Sequence, residues 1–163
     1  TRFAYEQTVL KPHIVSMAKG LGGGFPIGGI LGVAELFNTF NAGTHGTTFG
    51  GNPLAVAVAQ TVVDIVFEPS FLANVQQMSA YFIEQLQTHL PSSFSVQGKG
   101  LMLGLYCGGE DVAPVVSKLD EAGLLTVAAG PKVIRLLPPL TVSKEEIDEA
   151  VAILKNTLSV NFV

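Results

Sequence analysis

One cysteine stands in the whole chain, Cys107, so no internal disulfide braces the fold, and a reducing, cytoplasmic setting is expected. With no second thiol beside it, Cys107 reads as a small buried hydrophobe. Charge is scarce too: charged residues make up 13% of the 163, the formal net charge is −4, and Lys and Arg form no cluster. That excludes nucleic acid and an anionic membrane surface as expected partners. No apolar run is long enough to span a bilayer, and the opening Thr1-Arg2-Phe3-Ala4-Tyr5-Glu6 lacks the pattern of a signal peptide. Those residues read like the middle of a domain. The three histidines, His13, His45 and His89, stand too far apart for a zinc motif, and no metal is expected. Internal repeats and low-complexity tracts are also missing.

Apolar surface, by contrast, is plentiful. Hydrophobic residues reach 48%, high for a chain long enough to bury one ordinary core. Two arrangements account for the surplus. A parallel sheet buried on both faces reads as continuous apolar runs; alternatively, part of the surface is meant to be covered by further chain or by a partner subunit.

Residues 17–29, Met-Ala-Lys-Gly-Leu-Gly-Gly-Gly-Phe-Pro-Ile-Gly-Gly, set six glycines around one amine, Lys19. Glycine at that density lets the backbone take positive φ and lie close to a bound group. Lysine forms Schiff bases with carbonyl compounds, so an amine on such a platform points to an anchored carbonyl cofactor. A tight turn with a solvated lysine is the competing reading. Nucleotide fingerprints fail: a dinucleotide loop starting at Gly20 needs glycine where Phe25 stands, and a P-loop needs Lys-Ser or Lys-Thr after its glycines. Lys99, between Gly98 and Gly100, reads as a solvated hairpin tip.

Along the chain, apolar runs predict strands at 14–16 and 27–33, with Lys19 at the carboxyl edge of the first. A short helix is expected at 34–40 with Leu36, Phe37 and Phe40 inward. The loop 41–51 is rich in Asn, Gly and Thr, and Asn52-Pro53 marks the start of a helix over 53–67. That helix turns its positive end toward the loop, so Thr47 and Thr48 sit at a candidate anion site; an ordinary Thr-rich capping loop is equally consistent. His45 has nothing nearby to orient it. A second helix is expected over 71–90, with Leu72, Val75, Met78, Phe82, Leu86 and Leu90 as a core stripe. Strands follow at 94–96, 101–106, 124–127 and 133–137, with a helix over 111–122 closed by Gly123. Ser143 and Glu146 form a capping box for a last helix with Ile147, Val151, Leu154 and Leu158 on one face, loosening from Ser159. Arg135 interrupts the apolar run Val133-Ile134-Arg135-Leu136-Leu137; it either grips a carboxylate or faces water, and alternation alone does not choose.

These residues carry a resemblance. Ala18-Lys19-Gly20-Leu21-Gly22-Gly23-Gly24-Phe25-Pro26-Ile27-Gly28, led by Lys11-Pro12-His13-Ile14-Val15, resembles the cofactor-lysine segment of the class III pyridoxal-phosphate aminotransferases. Thr44-His45-Gly46-Thr47-Thr48-Phe49-Gly50-Gly51-Asn52-Pro53-Leu54-Ala55 resembles a second segment of that family, in the same order and spacing. The match is nearest to the acetylornithine branch and covers only the later part of the family's longer chain. It implies an α/β fold: residues 1–67 as the trailing part of a fold type I large domain, and 68–163 as a small C-terminal α+β domain.

The function so implied is transamination with pyridoxal 5′-phosphate held by Lys19, moving the terminal amino group of N-acetylornithine to 2-oxoglutarate in arginine biosynthesis. By the same resemblance, Thr47 and Thr48 reach the cofactor phosphate of the neighbouring subunit in a homodimer with shared active sites, and Arg135 binds the substrate α-carboxylate. The aspartate for the pyridinium nitrogen, the stacking aromatic, the same-subunit phosphate loop and an upstream substrate arginine have no counterpart here. The chain by itself is therefore expected to have little or no activity. An ornithine, 4-aminobutyrate or succinyl-diaminopimelate donor is one alternative, and a catalytically silent folding or dimer-interaction module is the other.

Overall fold

The computed structural model describes residues 1–108 and 111–161. It divides into two compact units, Thr1–Leu72 and Ala73–Val163.

The first unit opens with a 3-10 turn, Ala4–Gln7, followed by β1 (Ile14–Met17), a second 3-10 turn (Lys19–Gly22) and β2 (Gly29–Gly32). The strands pair antiparallel, with Ile14 opposite Gly32 and Met17 opposite Gly29. The parallel, doubly buried arrangement considered for this part is thus not what these strands form. Residues 18–28 contain one 3-10 turn, whereas a parallel pair needs a crossover of roughly a dozen residues or more, usually a helix. The next helix, α1 (Ala34–Phe37), ends three residues before the expected 40. Thr39 Oγ1 donates to Leu36 O at 2.7 Å, the kind of local bond that competes with helix continuation. Phe37 and Phe40 are exposed instead of inward, with ring centroids 5.4 Å apart, and only Leu36 is half-buried.

Helix α2 (Pro53–Val66) begins where Asn52 caps it: Asn52 Oδ1 accepts from the Ala55 N–H at 2.9 Å, and Pro53 takes the first helical position. Its inward face is Ala55, Val58, Ala59, Val62, Val63 and Val66, at helical spacing. Beyond its end, Phe67 meets Phe3 edge-on at 5.5 Å and receives the Arg2 guanidinium at 5.3 Å. Among the described residues of this unit, only Ala55 and Ala59 are buried hydrophobics.

The division between the units falls within α3 (Pro69–His89). This helix starts at Pro69, earlier than the expected 71, because proline needs no N–H partner in a first turn. In the second unit, β3 (Ser95–Lys99) and β4 (Met102–Tyr106) form a hairpin, followed by α4 (Ala113–Glu121), β5 (Val127–Ala128), β6 (Val133–Leu136) and α5 (Lys144–Asn161). The strand order is β3-β4-β6-β5, antiparallel throughout. Because Lys99 still pairs with Met102, the hairpin tip is Gly100-Leu101, with Gly100 at φ +58° as a two-residue loop favours. Ser79 Oγ donates to Gly100 O at 2.6 Å and ties the tip to α3.

Leu103 and Leu105 of β4 and Ile134 and Leu136 of β6 alternate inward. They join Met78, Phe82 and Leu86 of α3, Val115 and Leu119 of α4, and Ile147, Val151, Leu154 and Leu158 of α5 in one core. Helix α4 closes as a Schellman motif: Leu124 N–H donates to Leu119 O at 2.8 Å and Gly123 N–H to Asp120 O at 2.9 Å, with Gly123 at φ +90°. Leu124 is consumed by that cap, so β5 begins at Val127 and not at 124. The capping box forms as read, with Ser143 N–H donating to Glu146 Oε2 at 2.7 Å and Glu146 N–H to Ser143 Oγ at 3.2 Å. The loosening expected from Ser159 is not found as far as Asn161; residues 162 and 163 lie outside those described. Much of the apolar surplus is surface: Leu125 is 85% exposed, and Met102, Val127 and Leu137 are also open.

Leu154→Ala is expected to lower the unfolding free energy by about 2–5 kcal/mol, a core cavity, and Ser143→Ala by about 1 kcal/mol, a lost cap, both measured by denaturant titration. The Ser143 N–H and, at 3.0 Å, the Ser143 hydroxyl both donate to Glu146 Oε2 and hold its carboxyl below the usual carboxylate range. Its folded value is thus below its unfolded one, so the box contributes in full above the unfolded pKa and fades as pH falls through the folded one. The cost of Glu146→Gln is expected to shrink in acid; a constant cost would contradict this.

Candidate active site

Lys19 is where the backbone departs from the ordinary. Its φ is +51°, the one positive φ on a non-glycine residue among those described. A β-carbon in that left-handed region costs about 1–2 kcal/mol, and such residues persist where their surroundings over-determine them, commonly at functional sites. Three turn bonds hold the segment: Leu21 N–H to Ala18 O at 3.1 Å, Gly23 N–H to Gly20 O at 3.2 Å and Phe25 N–H to Gly22 O at 2.9 Å. Gly23 and Gly24, at φ +55° and +109°, then reverse the chain, which only glycine does without strain.

Lys19 itself is exposed and, among the described residues, its amine has no hydrogen bond or ion pair. It lies on the rim of an open cavity of about 540 Å³ lined by Lys19, Gly20, Gly23, Gly24, Phe25, Pro26 and Ile27. The walls are therefore mostly backbone and apolar ring or alkyl surface, with one primary amine. That donor set fits a flat carbonyl compound held through its aldehyde carbon. Lys99, by contrast, sits on an exposed hairpin strand.

Thr47 and Thr48 do not line this cavity. Both are exposed on the loop before α2, and neither hydroxyl has a partner among the described residues. The Thr47 methyl packs against Gly50, and Asn52 Nδ2 donates to Phe49 O at 2.8 Å, so the loop is shaped by its own contacts up to the α2 N-terminus. Two unsatisfied hydroxyls beside a helix N-terminus suit an anion. His45 is better oriented than its sequence suggested: its ring lies edge-on to Phe40 at 5.1 Å, and Nδ1 stands 3.4 Å from Thr44 Oγ1.

Arg135 belongs to the second unit. It lies on the sheet face opposite the core, exposed, with Gly104 and Val127 as its cross-strand neighbours. The buried-charge reading is therefore replaced by a guanidinium with a bare glycine on one side and no ion pair among the described residues. No group of His, Cys, Asp and Glu able to hold a metal ion occurs among the described residues, and no single helix among them is long and apolar enough to cross a membrane. Sequence reading missed the residues that seat the lysine turn. Leu21 Cδ2 would lie 3.7 Å from a β-carbon on Gly29, and Val62 Cγ2 would lie 3.0 Å from one on Gly23. The inward face of α2 was the available signal, but nothing in its spacing says what it packs against.

A left-handed lysine beside a glycine-walled cavity is an arrangement that can anchor a carbonyl cofactor, and the family match is to enzymes that use one. The aminotransferase class-III family model covers residues 1–158, and the chain belongs to that family, whose members depend on pyridoxal 5′-phosphate. It is 50% identical to the acetylornithine aminotransferase of Bacillus subtilis strain 168 over 159 residues, 96% of this chain and 41% of that protein. The N-acetylornithine aminotransferase of Stenotrophomonas maltophilia K279a superposes with a TM-score of 0.84 at 32% identity, covering 98% of this chain and 43% of that one. The ornithine δ-aminotransferase of Plasmodium falciparum gives 0.85 at 30% identity, covering 96% and 41%. The chain thus spans about two-fifths of the length of these relatives.

Cys107 takes no part in this site. It is buried, donates weakly to Leu105 O at 3.4 Å, and burial pushes its thiol up to about 11. Thiol-labelling reagents at pH 8 are expected to modify it only at the rate of unfolding, with a burst of labelling on adding denaturant; rapid modification of the folded chain would contradict its burial.

Proposed function

We propose that Lys19 is the amine that holds pyridoxal phosphate, and that the full-length protein transfers the terminal amino group of N-acetylornithine to 2-oxoglutarate, in arginine biosynthesis in the cytoplasm. The observation that carries this is the backbone of Lys19. A left-handed lysine, unpartnered among the described residues, stands on the rim of a backbone-lined cavity and in the segment most like the family's cofactor lysine.

When bound, the cofactor supplies an electron sink for the bond being broken at the amino-bearing carbon. The chain supplies the rest. Lys19 Nζ would hold the cofactor through its aldehyde carbon and, when not so engaged, would be the amine able to accept and return a proton. Gly20, Gly23 and Gly24 leave room for a flat ring to approach, and Phe25, Pro26 and Ile27 exclude water from one side. Thr47 and Thr48, with the N-terminus of α2, bind the cofactor phosphate in the neighbouring subunit of a homodimer. Arg135 pairs with a substrate carboxylate by two parallel hydrogen bonds, for which its exposed position and bare Gly104 neighbour leave space.

Support for the donor comes from several acetylornithine aminotransferases at 41–50% identity. An ornithine donor is the second reading, favoured by superpositions at TM-scores of 0.84–0.86 on ornithine aminotransferases at 29–30% identity. The 163 residues alone are expected to be close to inactive, because the roles that the resemblance gives to preceding chain are unfilled.

Incubating the full-length protein with pyridoxal phosphate is expected to give a visible absorption band that Lys19→Ala abolishes and Lys99→Ala leaves intact. A band that survives Lys19→Ala contradicts the assignment. Arg135→Ala is expected to raise KM for 2-oxoglutarate by roughly 10–100-fold, the worth of a charge-assisted pair, with the absorption band unchanged; an unchanged KM removes Arg135 from the site.

A further inference from the structure

We propose that Val62, on α2, is a positioning residue for Lys19: lying against Gly23, it backs the 3-10 turn, whose own Leu21 packs onto Gly29 of β2, and thereby holds the lysine in its left-handed conformation over the cavity. This rests on Lys19 being the cofactor-holding amine.

Nothing on the Lys19 side chain fixes it, because the amine has no partner among the described residues. The constraint must come from its neighbours in the turn. Two of the glycines that follow it are seated against other parts of the unit. Gly22 is buried, and a β-carbon there would stand 2.8 Å from Ile27 Cγ2. Gly23 lies against α2, where a β-carbon would stand 3.0 Å from Val62 Cγ2. Gly20 and Gly24, which line the cavity, have open space where a β-carbon would be. Of the cavity-lining glycines, Gly23 is thus the one backed by α2. On β2, the missing side chain of Gly29 admits Leu21 Cδ2, at 3.7 Å from where its β-carbon would be.

Helix α2 is suited to act as the fixed support. It is capped by Asn52 and presents Ala55 and Ala59, 2% and 9% exposed, on the same face as Val62. Small side chains at those positions let the helix come close to what it packs on, and Val62, β-branched and stiff at χ1, then defines the contact with Gly23. Removing its two methyl groups opens a gap beneath Gly23 into which the turn can relax. The first backbone torsion to escape is the one under strain, at Lys19.

The experiment uses the full-length protein and pyridoxal phosphate. Val62→Ala is expected to weaken cofactor retention about tenfold, move the pH midpoint of the lysine-linked absorption band, and lower kcat roughly 10–100-fold with KM little changed, as a misplaced reacting group does. Val62→Thr, which keeps the branched shape, is expected to restore all three. If Val62→Ala does not fold, Leu21→Ala removes the contact of the turn with Gly29 of β2 and is expected to shift the same band. An unmoved midpoint and unchanged retention, in whichever of these variants folds, overturn the positioning role while leaving Lys19 in place, and so does a Val62→Thr variant as defective as Val62→Ala. A band that persists in Lys19→Ala removes the reading beneath it, and the positioning role with it.

Discussion

The first unit depends on one strained torsion. Lys19 at φ +51° is tolerable only because the residues around it leave the turn no better conformation. The N–H groups of the turn donate to backbone carbonyls within the segment, its glycines take the angles that other residues resist, Gly23 lies against Val62 of α2, and Leu21 packs onto Gly29 of β2. A lysine on a relaxed, solvated turn would sweep its amine through a wide volume. Fixing the backbone at the root of the side chain reduces that freedom where it matters for condensing with an aldehyde, which is the structural meaning of preorganisation.

The two units are unlike in how they are held together. In the second, β4, β6 and three helices, with Val96 of β3 packed against them, share a core whose leucines, isoleucines and valines are almost wholly withdrawn from water, with the C-terminus of α4 and the N-terminus of α5 capped. In the first, two alanines are the buried hydrophobics among the described residues, while Val9 and Phe49 are 97% and 79% exposed. Burial on that scale offsets little of the entropy lost on ordering a chain of this length. Lys19 therefore sits on the unit with the smaller buried core, in a chain about two-fifths the length of its relatives.

How much of this was legible follows from the range of the interactions. Local signals read well: Asn52-Pro53 as a helix start, Ser143 with Glu146 as a box, Gly123 as a C-cap, and the 3.6-residue stripes of α3 and α5. Each is fixed by atoms a few residues apart. Element edges failed where a cap consumed them, as Leu124 did before β5, or where a hydroxyl bonded back, as Thr39 did after α1. Pairing direction was not legible in β1 and β2, because short apolar runs carry no mark of their partner. For the site, a lysine turn could be read from its glycines, whereas its seat could not. Val62 reaches Gly23 only through the fold, and no spacing rule links positions that far apart. Arg135 stood undecided between core and solvent until the register placed it on the open face.

The central claim is that one amine among seven lysines, Lys11, Lys19, Lys99, Lys118, Lys132, Lys144 and Lys155, is built to hold the cofactor. Reducing the pyridoxal-phosphate-loaded full-length protein with borohydride and mapping the modified peptide by mass spectrometry tests it most directly. The account predicts a single phosphopyridoxyl group on Lys19. Modification spread over several lysines, or settled on Lys99 or another surface amine, would contradict it.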